Sequence, residues 1–220
     1  MSERTTGGDR EAVFFDFGGV LTSSLFDAFE QLGRSLGDDA GLPLRVLATD
    51  PEAAALLVQH EEGRIEQEEF ERGYADRLAA HGLVTEADGL VDRLQAGLRP
   101  DPAMLALVEE LRTQGRPVAL VSNALGRDCY AGYDLAAMFD EVVVSSEVGI
   151  RKPSRRIYRI ACDRLGVPPE RAVMIDDLQH NLDGAARIGI AGVLHTDADT
   201  TRRGLEDLLA PSARAHEARS

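Results

Sequence analysis

Lysine is almost missing from this chain: of 24 basic side chains only Lys152 is an ammonium, and the rest are arginines. Cysteine is scarce as well. Cys129 and Cys162 are too few for a disulfide framework or a zinc site, and they read as small reduced thiols. No apolar run approaches the roughly 20 residues needed to span a bilayer, and the polar stretch over residues 2–11 lacks the apolar segment of a secretory signal. A cytoplasmic protein is expected. Positive charge is short overall, and the formal net charge of −14 repels phosphate backbones and anionic membranes. Neither nucleic acid nor membrane is an expected partner, and a phosphate site here must be made positive locally, by a cation, a metal or helix N-termini.

What is present is an ordinary globular composition. A chain of 220 residues with 44 % hydrophobic side chains suggests one core domain, or a core with a modest insertion. Residues 12–16 form a short buried-strand pattern that runs into Phe17-Gly18-Gly19, a loop where backbone can approach a ligand. From about residue 25 to 98 no strand pattern occurs. Leu25, Phe29, Leu32 and Leu36 fall on one helical face, and similar spacing recurs through Phe70, Tyr74 and Leu78 and through Leu90, Leu94 and Leu98. Beyond Arg99-Pro100-Asp101-Pro102 strands and helices alternate: a helix over 102–114, strands over 117–122 and 141–145, a helix over 154–165, a strand over 172–176, a helix over 180–188 and a strand over 191–195. That alternation predicts an α/β fold with a parallel sheet. Residues 211–220 read as a polar tail.

A doubly wound sheet binds ligands outside the carboxyl ends of its strands. Three of the expected strands finish in polar groups at that edge: Asp16, Ser122-Asn123 and Asp176-Asp177. Taken singly, each could be the N-cap of the helix that follows, and Lys152-Pro153 could be a helix start. Lys152 nevertheless stands out, because an ammonium is a compact point charge where an arginine is a broad planar fork.

In order and spacing, Phe15-Asp16-Phe17-Gly18-Gly19-Val20-Leu21, Val121-Ser122-Asn123, Val148-Gly149-Ile150-Arg151-Lys152-Pro153 and Met174-Ile175-Asp176-Asp177 closely resemble the four motifs of the haloacid dehalogenase-like hydrolase superfamily. The resemblance is greatest to the subgroup that includes the N-terminal phosphatase domain of soluble epoxide hydrolases, supported by Glu61-Glu62-Gly63-Arg64-Ile65, Phe70 and Gly166-Val167-Pro168-Pro169. It implies a Rossmann-like core from residues 1–21 and 100–210 with a helical cap at 22–99. The 28 residues between Asn123 and Lys152 leave no room for a second large cap. It also implies a Mg²⁺-dependent phosphatase acting on a small phosphorylated metabolite. In that scheme Asp16 is the nucleophile that becomes an aspartyl phosphate, and Lys152 neutralises it together with the substrate. Ser122, Asn123 and the Phe17-Gly18 backbone hold the phosphoryl oxygens. Asp177, with Asp176 behind it, binds the metal beside Asp16 and the Gly18 carbonyl. The chemistry agrees, since an anion attacking an anion needs compensating charge, and Mg²⁺ takes one or two carboxylates plus a substrate oxygen.

One position departs from the pattern. Most phosphatases of this superfamily carry a second aspartate two residues after the nucleophile, as acid and then base; here it is Gly18. Three readings stay open. The substrate can have an acidic leaving group, such as an aryl, acyl or anomeric phosphate. A side chain of the cap, His60, Glu61 or Glu62, can replace the acid, unless these form a solvated charged face. Or the chain can be a phosphate-binding or regulatory protein with little turnover. Metal-independent haloacid dehalogenation is a further alternative, against which the Asp176-Asp177 pair speaks. The sequence carries no sign of oligomeric state.

Overall fold

Four consecutive apolar residues make the central strand β1 (Ala12–Phe15), and none of the four is exposed. The computed structural model describes residues 10–209. After β1 come the helices α1 (Leu25–Leu36), α2 (Leu42–Thr49), α3 (Pro51–Glu61), α4 (Gln67–Ala80) and α5 (Leu90–Gln95). The chain continues through α6 (Pro102–Thr113), β2 (Val118–Ser122), the short α7 (Leu135–Met138), β3 (Glu141–Val144), the short α8 (Ser145–Val148) and α9 (Arg155–Leu165). It ends in β4 (Ala172–Asp176), α10 (Gln179–Ala186), β5 (Ala191–Leu194) and α11 (Ala198–Leu209). The expected tail at 211–220 lies outside the described residues.

The strands pair in parallel in the order β3-β2-β1-β4-β5. Both faces of β1 are covered, which is why it reads as an unbroken apolar run. Val13 and Phe15 pack with α6 residues Met104, Leu107, Val108 and Leu111. Ala12 and Phe14 point the other way, against Ile157, Tyr158 and Ala161 of α9 and Leu182 and Ala185 of α10. Burying such a Phe or Leu side chain stabilises by about 1.5–3 kcal/mol, so this three-layer packing fixes the strand register firmly. Because β2 and β4 flank β1 and their connections turn in opposite directions, the crevice at their carboxyl ends is the natural ligand position.

Helices α1–α5 bury a separate cluster of their own, centred on Phe29, Leu32, Phe70, Tyr74, Leu78, Leu90 and Leu94. They leave and rejoin the sheet through two segments lying side by side: Ser23 N–H donates to Arg99 O at 2.7 Å and Asp101 N–H to Leu21 O at 2.9 Å. Ser24 caps α1 by accepting from the Phe26 and Asp27 amides. Among the described residues no helix is long and apolar enough to cross a membrane.

The sequence pattern and the structure differ in detail. Asp16 and His195 lie one residue past their strands although their amides still donate to the neighbouring strand, to Ile175 O and Asp176 O. Ser145, expected to end a strand, starts α8. Helix α11 is an element beyond the expected alternation; Thr201 and Leu205 are its buried residues, with Ala198, Leu208 and Leu209 packed on the core beside them. Both cysteines are free, as expected, and Cys162 packs in the core under β1.

Candidate active site

Lys152 is 1 % exposed, and its Nζ stands 2.7 Å from Asp16 Oδ1 and 2.7 Å from Asp176 Oδ2. The loop carrying it is pinned to the end of β2 by a reciprocal pair: Lys152 N–H donates to Asn123 Oδ1 at 2.8 Å and Asn123 Nδ2 to Lys152 O at 3.3 Å. Burial opposes the ammonium, but the Asp16 and Asp176 carboxylates outweigh it and raise its pKa. The two carboxylates thus favour the ammonium form of Lys152 inside the protein.

The carboxylates are not equally satisfied. Asp176 Oδ1 accepts from Leu178 N–H and Asn181 Nδ2, both at 2.9 Å, while its Oδ2 accepts from Lys152 and, at 3.1 Å, from Asn181. Those donors fill a carboxylate's lone-pair positions. Asp16 accepts from the Phe17 amide at 2.7 Å and shares Lys152. Asp16 is pushed up to about 7: burial raises it most, Lys152 pulls against that, and Asp176 and Asp177 add to the rise. Asp177 is raised to about 6, by burial first and then by Asp176. No hydrogen bond or ion pair from another described residue reaches its carboxylate.

Oxygens of Asp16, Asp176 and Asp177 all lie within 4.8 Å of one another, so three carboxylates crowd together beside one ammonium that contacts only the first two. That excess of negative charge, held on hard oxygen donors, fits a dication of the Mg²⁺ type. Gly18 makes no hydrogen bond with any described residue, which leaves its carbonyl and amide free. Gly19 has φ +77°, and a Cβ there would collide with the Asp177 carboxylate, so the turn closes against that aspartate only because glycine stands there. Ser122 ends β2 at 2 % exposure, beside Asn123. Phe17 has its ring in the core, edge-on to Tyr130 and Tyr133, and offers the site only its backbone.

The motif residues Asp16, Gly18, Ser122, Asn123, Lys152, Asp176 and Asp177 thus gather at one sheet edge. Asn181, two residues into α10, was not among them. Its backbone carbonyl accepts from the Tyr158 hydroxyl at 2.7 Å, which fixes the amide that holds Asp176.

A cavity of about 250 Å³ opens over Asp16, Gly18, Asn123, Lys152 and Asp177. Its opposite wall comes from α1–α3: Leu25, Phe29, Leu44, Leu47, Leu57 and Glu61. A wider hollow of about 1440 Å³ lies along α6 and α7, and none of the groups gathered around Lys152 lines it.

The three residues proposed to replace an acid at position 18 separate cleanly. His60 stacks on Phe70 at 4.8 Å and accepts from the Gly126 amide through Nε2 at 3.1 Å; it does not line the cavity. Glu62 pairs with Arg64 and also lies outside it. Glu61 lines the cavity and is 8 % exposed. Burial raises its pKa to about 7 against the pull of Arg151 and Lys152. Arg151 Nε stands 2.5 Å from Glu61 Oε2, but neither atom makes a directed hydrogen bond, so the pair is an ion contact only. The solvated charged face is overturned for His60 and Glu61, because the loops after β2 and β3 fold over them. Ser145 Oγ donates to Glu61 O at 2.5 Å and accepts from Ala124 N–H at 2.9 Å.

Known proteins resemble this chain in sequence and in fold. The chain is 30 % identical over 199 residues to a glyceraldehyde 3-phosphate phosphatase of Methanothermobacter thermautotrophicus, with 84 % of each chain covered. An L-2-haloacid dehalogenase of Xanthobacter autotrophicus has the same fold, with a TM-score of 0.63 at 21 % identity over 92 % of this chain and 85 % of that one. So does the enzyme bt-2542 of Bacteroides thetaiotaomicron, solved with magnesium and inorganic phosphate, with a TM-score of 0.59 at 20 % identity over 84 % of this chain and 93 % of that one. The sequence matches the haloacid dehalogenase-like hydrolase family over residues 11–189, and the chain belongs to that family.

Proposed function

We propose that this hydrolase is a Mg²⁺-dependent phosphomonoesterase that acts on a small phosphorylated metabolite through an aspartyl phosphate on Asp16. One observation carries the reading: a single buried ammonium serves Asp16 and Asp176 while Asp177 beside them has no cation. Metal-free dehalogenation has no use for that extra carboxylate, and phosphate transfer does. The phosphatase and the magnesium–phosphate complex among the similar proteins support the same choice.

Asp16 Oδ attacks phosphorus, and the P–O bond to the leaving group breaks. Lys152 pulls Asp16 toward its ionised form and orients it, and its charge offsets the approach of anion to anion. Ser122, the Asn123 amide and the free Gly18 N–H hold the phosphoryl oxygens, with the Phe17 amide steering Asp16. Asp16, Asp177 and the Gly18 carbonyl would hold Mg²⁺, with Asp176 behind them anchoring Lys152. When bound, the ion neutralises the remaining carboxylate charge and polarises a phosphoryl oxygen. The helical unit over residues 22–99 acts as a cap that closes the cavity and sets specificity through its apolar wall. The turn after Asp16 carries no acid, so the leaving oxygen must either be acidic itself or receive its proton from across the cavity.

The test is hydrolysis of a panel of phosphomonoesters with and without Mg²⁺. Release of phosphate that stops on chelation and returns with Mg²⁺ is the expected outcome. Chelator-indifferent release of halide from 2-haloacids, without phosphatase activity, overturns the reading.

A further inference from the structure

The turn at position 18 has unused room. Gly18 does not have a positive φ, and a Cβ built there meets nothing within 4 Å, so the backbone does not require glycine. The space beside the nucleophile opens into the cavity. On the cavity wall that α1–α5 supply, Glu61 is the one carboxylate among the described residues. Its Oε2 is buried against the Arg151 guanidinium at 2.5 Å, and no hydrogen bond from a described residue occupies its Oε1. Its backbone is fixed by Ser145 and its side chain is steadied by Arg151.

Resting on the phosphatase reading above, we infer that Glu61 protonates the leaving oxygen and then takes the proton of the attacking water, the work that a side chain at position 18 does elsewhere. In the first step the electron pair of the breaking P–O bond goes to the leaving oxygen, which takes the Glu61 proton and departs as an alcohol. In the second, water attacks the phosphorus of the aspartyl phosphate, its proton passes to Glu61, the bond to Asp16 breaks and inorganic phosphate leaves. Glu61 ends each cycle protonated. Burial, Arg151 and Lys152 set its titration, and Asp16, Asp177 and His180 are the other titratable groups that line the same cavity, with His60 next to it in sequence. Burial against the pull of Arg151 and Lys152 leaves it near neutrality, where both forms are available.

The experiment compares an aryl phosphate, whose leaving group needs no proton, with a simple alkyl phosphate, in saturating Mg²⁺. The unaltered protein should cleave both, with a shallow dependence of log(kcat/KM) on leaving-group pKa. Glu61→Gln should lose about 10²-fold on the alkyl ester and less than about tenfold on the aryl ester. Adding Gly18→Asp to Glu61→Gln should restore the alkyl ester, a rescue that a merely structural role does not allow. Equal losses on the two esters, or none, overturn the assignment. If Glu61→Gln does not fold, a steep leaving-group slope in the unaltered protein overturns it just as well. Failure of the unaltered protein to cleave either ester sinks the phosphatase reading itself, a separate outcome.

Discussion

Asp50 and Asp16 are both buried carboxylates held by cations, at 5 % and 8 % exposure, and their surroundings are opposite. Asp50 caps α3. Its Oδ1 accepts from the amides of Glu52 and Ala53 at 3.0 and 3.1 Å, and its Oδ2 faces Arg77 at 2.6 Å and His81 at 2.9 Å. Hydrogen bonds from Arg77 and His81 hold its carboxyl well below the usual range. Asp16 competes with Asp176 for one ammonium and is pushed up to about 7, chiefly by burial. A carboxylate with more donors than it needs fastens two helices together. One with too few remains available to a metal and an electrophile, at a cost in stability that the rest of the core must cover.

The largest break in that contrast is Asp16→Asn. It removes the nucleophile, so kcat/KM should fall on the order of 10³-fold or more. It also removes one of the two claims on Lys152, so the melting temperature should hold or rise; a fall of many degrees in Tm means that Asp16 was structural after all. Lys152→Arg keeps the charge but puts a planar fork into a site that holds an ammonium 2.7 Å from two oxygens. A loss of at least about tenfold in kcat/KM is expected, equivalent to about 1.4 kcal/mol in the barrier. Normal kinetics would return the lone lysine to coincidence.

The same contrast explains what the sequence could reveal. Asp16, Ser122, Lys152 and Asp176 were legible because each ends a strand or follows one at a fixed spacing, and a parallel sheet gathers its strand ends at one edge. The α1 face was legible from Leu25, Phe29, Leu32 and Leu36, all of which join the helical cluster. Asn181 was not, because its role depends on a hydrogen bond back along the first turn of α10, and nothing in its residue type distinguishes it from a surface amide. Glu61 could be named only as one of three neighbours. What separates it from His60 and Glu62 is which side of α3 faces the cavity, and that depends on how α3 packs over the loops after β2 and β3. Asp50 had no sequence signal, since its partners Arg77 and His81 lie 27 and 31 residues away.

The smallest expected effect comes from Asp50→Asn, and it sharpens the comparison from the satisfied side. Asparagine caps a helix as well as aspartate, so the Glu52 and Ala53 amides keep their acceptor and the change isolates the charge facing Arg77 and His81. Because the folded pKa of Asp50 is depressed, its contribution is fully present above the unfolded value of about 3.9 and fades as pH falls below that toward the folded pKa. Arg77 is partly exposed, which screens the pair and keeps the effect modest. The variant should melt a few degrees lower at neutral pH, and the gap to the unaltered protein should narrow as the solution is acidified below about pH 4. Activity at 25 °C should stay within about twofold, since Asp50 does not line the cavity. Melting curves whose separation is independent of pH would show that the Asp50 charge does no work, and a large loss of activity would tie the α2–α3 corner to the chemistry instead of to the fold.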